Sequence, residues 1–232
     1  MVAMFTDALA AVRQRMESAA RCAGREAAAV RLMAVTKGLP RSVVDEARAA
    51  GLTLFGENRV QEAEEKYLDL VGTLELHLIG HLQRNKARPA SGLFSCVQSV
   101  DKVETAAALD ARCAERGMVM DILLELNTSG EASKSGFLSR EELLEGLDAI
   151  GRLAQLRVRG LMTVGPLSDD EKKIRSSFAA LRTLFQEIKA GGGLSAFDTL
   201  SMGMSGDFDM AIEEGSTLIR VGTALFGARQ KL

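Results

Sequence analysis

LMAVTKGLP, residues 32–40, opens on four apolar residues, closes them with Thr36 and Lys37, and breaks the chain at Gly38 and Pro40. A short apolar run bounded by turn formers and followed by a charged stretch of helical composition reads as one β/α unit. The same unit recurs along the chain. Its apolar runs are RLMAVT (31–36), LTLFG (52–56), LELHLIG (74–80), LFSCVQSV (93–100), DILLEL (121–126), LRVRGLM (156–162), TLSM (199–202) and TLIRVG (217–222). Between them, VQEAEEKYLDLV, KVETAAALDARCAER and EELLEGLDAIGRLA show the clearest helical periodicity. Eight such strands alternating with helices predict a single α/β domain over residues 1–232, a (β/α)8 barrel, with an open doubly wound sheet as the alternative. Phe5, Leu9, Val12, Met16 and Ala19 share one face of an extra amphipathic helix within residues 1–24. Gly191–Gly193 reads as a loop before the seventh strand rather than an interdomain linker.

Composition narrows the function. The 29 basic and 31 acidic residues nearly cancel, so no global field attracts nucleic acid or an anionic membrane, and QRNKAR (83–88) reads as a solvated helix face. Apolar runs are too short to span a bilayer, and Asp7, Arg13 and Arg15 interrupt any secretory pattern. Cys22, Cys96 and Cys113 are isolated, without the spacing of a zinc site, which points to a reducing cytoplasm and makes the Asn127–Ser129 sequon accidental.

In a barrel the chemistry collects at the carboxyl ends of the strands. Lys37 stands there, either as a solvated strand end or as an amine that loses its charge by desolvation and attacks a carbonyl. Lys134, in the Ser- and Gly-rich SGEASKSGF, is the rival, expected to stay charged and mobile in solvent. SMGMSGD (201–207) leads into a short helix that Ser205 or Gly206 is placed to cap, and RVGTALFG (220–227) offers Gly222 and a capping Thr223. These loops follow the seventh and eighth strands, where barrels often bind phosphate. Asp207 and Asp209 read as helix-dipole partners rather than metal ligands. His77 is expected in the pocket wall and His81 in a loop; four apart across Gly80, they make no helical metal pair.

AVTKG, FGENRVQEAEEK, LHLIGHLQRNKAR, LNTSGEASKSGF, GLMTVGP and LSMGMSGDFDMAIEEGSTLIRVGTALFG, in this order over residues 31–227, resemble the pyridoxal phosphate homeostasis protein family. That resemblance implies a fold like the N-terminal barrel of alanine racemase, with pyridoxal 5'-phosphate (PLP) at its mouth as an internal aldimine. It implies Lys37 as the Schiff-base residue, Asn58 beside the ring, and Ser205, Gly222, Thr223 and the Gly206 backbone around the phosphate. It sets Arg220 opposite the pyridine nitrogen. Two departures stand out: Arg59 where the family often has Tyr, and Leu76 where it usually has Trp.

An arginine opposite the ring nitrogen disfavours its protonation, so the cofactor is expected to stabilise carbanions weakly. The alanine racemase pattern adds a tyrosine acid/base through a second domain. Here ten residues follow Gly222, and the sole tyrosine, Tyr67, is expected to point away from the mouth. The expected function is therefore a monomeric, metal-free PLP carrier that releases or passes PLP to PLP-dependent apoenzymes. The alternatives are a PLP-dependent amino-acid racemase or β-elimination enzyme, and a cofactor-free Schiff-base aldolase.

Overall fold

A computed structural model describes residues 2–131, 134–194 and 196–228. Each apolar run becomes a strand: β1 (Arg31–Val35), β2 (Leu54–Glu57), β3 (Glu75–Leu78), β4 (Cys96–Val100), β5 (Met120–Glu125), β6 (Leu156–Met162), β7 (Thr199–Ser201) and β8 (Leu218–Val221). All pair in parallel in sequence order, and β8 closes on β1, so the alternative of an open sheet is excluded. The connecting helices are α2 (Arg41–Ala49), α3 (Val60–Tyr67), α4 (Ala87–Leu93), α5 (Val103–Glu115), α6 (Arg140–Ile150), α7 (Glu171–Ala190) and α8 (Phe208–Glu213). They follow α1 (Val2–Cys22), and α9 (Thr223–Phe226) comes last.

The period-2 alternation of strand side chains divides the core in two. Outward-facing Ala34, Phe55, Leu78, Val97, Leu124 and Val221 join the helices in one large apolar shell. Inside the barrel, Met33, Val35, Leu54 and Leu218 form one apolar cluster, and Cys96, Leu123 and Met162 another. The same inward face also carries polar residues: His77, Gln98, Ser201 and Arg220 are all buried. Barrel interiors are ordinarily filled by branched apolar side chains, so this polar seam breaks the packing rule where function is expected.

Helix α1 covers the seam between the last helices and β1. Phe5, Leu9, Val12 and Met16 are buried, Phe5 stacks on Phe226 of α9 at 5.4 Å, and the Arg15 guanidinium lies 4.1 Å over the Phe208 ring while pairing with Asp209. The amphipathic helix thereby ties down the two loops that follow β7 and β8. Closure of β8 onto β1 sets Met33 opposite Arg220 and Ala34 opposite Val221, so the chain leaving β1 through Lys37 runs beside Gly222 and Thr223.

Candidate functional site

That juxtaposition builds a cavity of ≈ 280 Å³ at the carboxyl end of the barrel, near the small end of the range for ligand pockets. Lys37, Ser205, Gly206, Arg220, Gly222 and Thr223 line it, with Val35, Leu39, Ile79 and Phe226 as its apolar wall. Lys37 is half-buried at this mouth. Asn58, at the end of β2, is not among the lining residues; its carbonyl packs so closely on Gly80 that a Cβ there would stand 2.3 Å away.

Ser205 does not cap α8 as the sequence suggests. Its hydroxyl instead accepts the N–H groups of Gly222 and Ala224, each at 3.2 Å, and so clamps the β7 loop to the β8 loop. Helix α9 starts at Thr223 behind Gly222, without a side-chain cap. A Cβ on Gly222 would come within 3.3 Å of the Val35 carbonyl, so glycine lets the β8 loop press against β1. At Gly206 a Cβ would meet no protein atom within 4 Å, and the backbone there stays open to the cavity. Asp207 turns back to accept the Met204 N–H, and Asp209 pairs with Arg15.

Arg220 forms the floor. It is 4% exposed, yet among the described residues no carboxylate lies within 4.0 Å of it, an unusual state for a buried cation. Its guanidinium donates instead to Ser201 Oγ and to the Thr163 carbonyl, both at 2.7 Å. Burial lowers its pKa to about 10, against the attraction of Glu125 and Asp207, and it stays cationic at neutral pH.

Other residues stand apart from the expected site. Lys134 is not free in solvent: its Nζ donates to the Gly165 carbonyl at 2.7 Å and pairs with Glu131 at 2.9 Å, away from the cavity wall. His77 is not in the mouth wall either. It lies deeper in the barrel, lining a separate cavity with Arg31, Glu75, Cys96, Asp121 and Arg159. His81 is exposed, 3.4 Å from Asp101. Tyr67 is buried, its hydroxyl 2.6 Å from Thr36 Oγ1, and does not line the cavity.

Sequence reasoning passed over one buried carboxylate. Glu125 was legible as the polar end of DILLEL, on the same strand face as the inward Leu123. Burial, then the negative charge of Asp101, pushes its carboxyl up to about 7, against the pull of Arg220. A raised carboxyl pKa stabilises the fold fully below about pH 4.5, and that contribution is lost as pH rises through 7. Glu125→Gln is therefore expected to flatten the pH dependence of the melting temperature over this window, and to be more stable at pH 8 by at most about 3 kcal/mol. Equal slopes in the two proteins would rule this out. A second buried carboxylate, Glu57, ends β2 and pairs with Lys66, which also donates to the Thr36 carbonyl next to Lys37.

The family described as alanine racemase, N-terminal domain, matches residues 8–230. The pyridoxal phosphate homeostasis protein of Pseudomonas aeruginosa is 42% identical over 97% of this chain and 96% of its own length. The one from Aquifex aeolicus is 38% identical, over 97% and 98%. Among solved structures, PipY of Synechococcus elongatus PCC7942 with PLP bound superposes with a TM-score of 0.83 at 36% identity, covering 96% of this chain and all of that one.

Proposed function

The chain belongs to the pyridoxal phosphate homeostasis protein family, and from that premise we propose that it holds PLP in the mouth cavity through a covalent link at Lys37 and releases it to PLP-dependent apoenzymes. The residues present fit the group. Ser205 locks the two loops together, the open Gly206 backbone and the Gly222–Thr223 turn offer N–H and hydroxyl donors for a phosphate, and Lys37 offers the amine. The uncompensated Arg220 guanidinium suits a ring nitrogen that carries no proton.

PLP supplies an aldehyde that condenses reversibly with an amine, releasing water. Lys37 Nζ gives up its protons for that link and recovers them on release. Arg220, held cationic, disfavours a proton on the ring nitrogen and so withholds the electron sink that carbanion chemistry needs. The apolar wall of Val35, Leu39, Ile79 and Phe226 limits water at the link.

One observation carries the carrier reading over a racemase or eliminase. Among the described residues, Lys37 and Arg220 are the ionisable groups that line the cavity, and Arg220, held cationic, is no base for carbanion chemistry. A racemase needs a proton donor on each face of the substrate carbon. The free thiols Cys96 and Cys113, buried, and Cys22, exposed, support residence in a reducing cytoplasm, and the reading takes the protein as a monomer.

Transfer distinguishes the possibilities. The loaded protein, mixed with a cofactor-free transaminase, is expected to restore its activity even with a scavenger of free PLP present, whereas PLP alone with the scavenger does not. A protein that takes up no PLP under these conditions, or one that exchanges the Cα hydrogen of an amino acid for deuterium at a Lys37-dependent rate, would overturn the carrier reading.

A further inference from the structure

The buried polar seam inside the barrel is continuous with Arg220. Ser201 Oγ, which accepts from Arg220, donates to Gln98 Oε1 at 2.6 Å, and Gln98 Nε2 lies 2.8 Å from His77 Nδ1. Gln98 and Ser201 are completely buried, and His77 is 6% exposed. Gln98 comes from β4 and Ser201 from β7, strands that do not pair, so this contact spans the barrel lumen and no ladder geometry requires it.

The donor direction follows from the orientation of the Gln98 amide. Arginine has only donors, so Ser201 Oγ accepts from Arg220, and with Gln98 Oε1 turned toward it the hydroxyl sends its own proton there. The same orientation sets the amide NH2 toward His77, whose Nδ1 must then be bare and whose proton sits on Nε2, 3.8 Å from Glu75. Burial keeps this imidazole neutral, as the direction of the chain demands. Every link is satisfied only if the one before it is.

The seam also answers a problem at the floor of the cavity. Arg220 is attracted by Glu125 and Asp207, and a guanidinium that swung onto either would pair its charge and leave the cavity. Two neutral acceptors, Ser201 Oγ and the Thr163 carbonyl, hold it instead. We propose that Ser201, Gln98 and His77 are positioning residues, a one-way donor chain that aims Arg220 at the cofactor ring; this rests on the reading that PLP occupies the mouth cavity. A seam of purely structural value would behave differently, because a fully satisfied buried polar cluster replaced by apolar groups of the same shape is often neutral or stabilising.

Two measurements test this. The first needs no cofactor: the chain has two histidines, so ring 15N spectra separate buried His77 from exposed His81. Neutral His77 protonated on Nε2 is expected in the wild type, and a proton on Nδ1 would overturn the chain direction. The second uses PLP and the variants Gln98→Met, Ser201→Ala and Ser201→Thr, with melting curves of the unloaded proteins recorded alongside. Gln98→Met and Ser201→Ala are expected to bind PLP about tenfold more weakly and to shift the 15N signal of the bound ring nitrogen, while borohydride still traps PLP on Lys37. Ser201→Thr, which keeps the hydroxyl, should recover both. Folded Gln98→Met and Ser201→Ala proteins with wild-type affinity and an unmoved ring signal would refute the positioning role. Wild-type protein without trapped PLP would instead refute the function it rests on, leaving the histidine measurement to decide the chain direction.

Discussion

Lys37→Ala is expected to abolish the borohydride-reducible link to PLP and to weaken PLP binding by about two orders of magnitude, ~3 kcal/mol. Ser205, Gly222, Thr223 and Arg220 remain in the cavity of the variant, so phosphate and ring contacts persist without the covalent tie. Lys37 lies at the half-buried mouth rather than in the packed core, and its truncation should change stability by less than about 1 kcal/mol. Lys134→Ala serves as the companion variant. That lysine is held by Gly165 and Glu131 outside the cavity wall, and its loss should leave the adduct and its position unchanged. Reduction followed by peptide mapping reads both results. An adduct found on Lys134, or one surviving in Lys37→Ala at full stoichiometry, would reassign the attachment site.

Lys66→Met is expected to destabilise the fold by about 3–5 kcal/mol at pH 8, a fall in melting temperature of roughly 10 °C. Lys66 and Glu57 are both buried, with Nζ to Oε1 at 2.7 Å, and Lys66 also donates to the Thr36 carbonyl and to Glu62, each at 2.8 Å. Thr36 Oγ1 donates to Glu57 at 2.7 Å, so the Tyr67 hydroxyl must be the donor in its 2.6 Å contact with Thr36. This network sits directly beneath Lys37 and fixes the backbone from which it projects.

Without Lys66, a buried carboxylate faces no cation at bonding distance. Even with Lys66 present, burial holds the Glu57 carboxyl above its ordinary value, with the Lys66 contact opposing it. The sign then follows: removing the opposing cation raises that pKa further, so the variant gains protons on folding and its deficit shrinks as pH falls from 8 toward 5. Pairing Lys66→Met with Glu57→Leu should recover most of the lost stability, because two apolar groups leave no charge behind. Melting curves of the three proteins across pH measure this. A Lys66→Met deficit of under 1 kcal/mol at pH 8, or one that grows on acidification, would show that the pair contributes no such stability.

The barrel was legible because its signal is local. RLMAVT, DILLEL and TLIRVG each announce a buried strand by composition alone, and α1 by the spacing of Phe5, Leu9, Val12 and Met16. Even β7, three residues long, lies inside the run TLSM. Lys37, Ser205, Gly206, Arg220, Gly222 and Thr223 line one cavity because parallel strands point their carboxyl ends the same way, and β8 closing on β1 then gathers the residues after each. Asn58, which the family resemblance implies beside the ring, ends β2 outside the lining of this cavity; a strand-end position does not determine where a side chain points.

What no local pattern could reveal lies between residues far apart in the chain. Ser205 was read as a cap for the helix next to it and instead clamps Gly222 and Ala224, seventeen and nineteen positions on. His77, expected in the pocket wall, is instead an interior hydrogen-bond partner of Gln98, itself bonded to Ser201 across 103 residues of sequence and the full lumen. Hydrophobic periodicity and turn residues act over a few positions, so the sequence by itself determined the strands, the helices and which loops would meet. The partner of each polar side chain depends on which groups the closed barrel has already cut off from water, and an unmet donor or acceptor there costs ~1–3 kcal/mol. The tertiary structure alone decided that Arg220 would be held by neutral oxygens and that the Lys66–Glu57 pair would lie beneath Lys37.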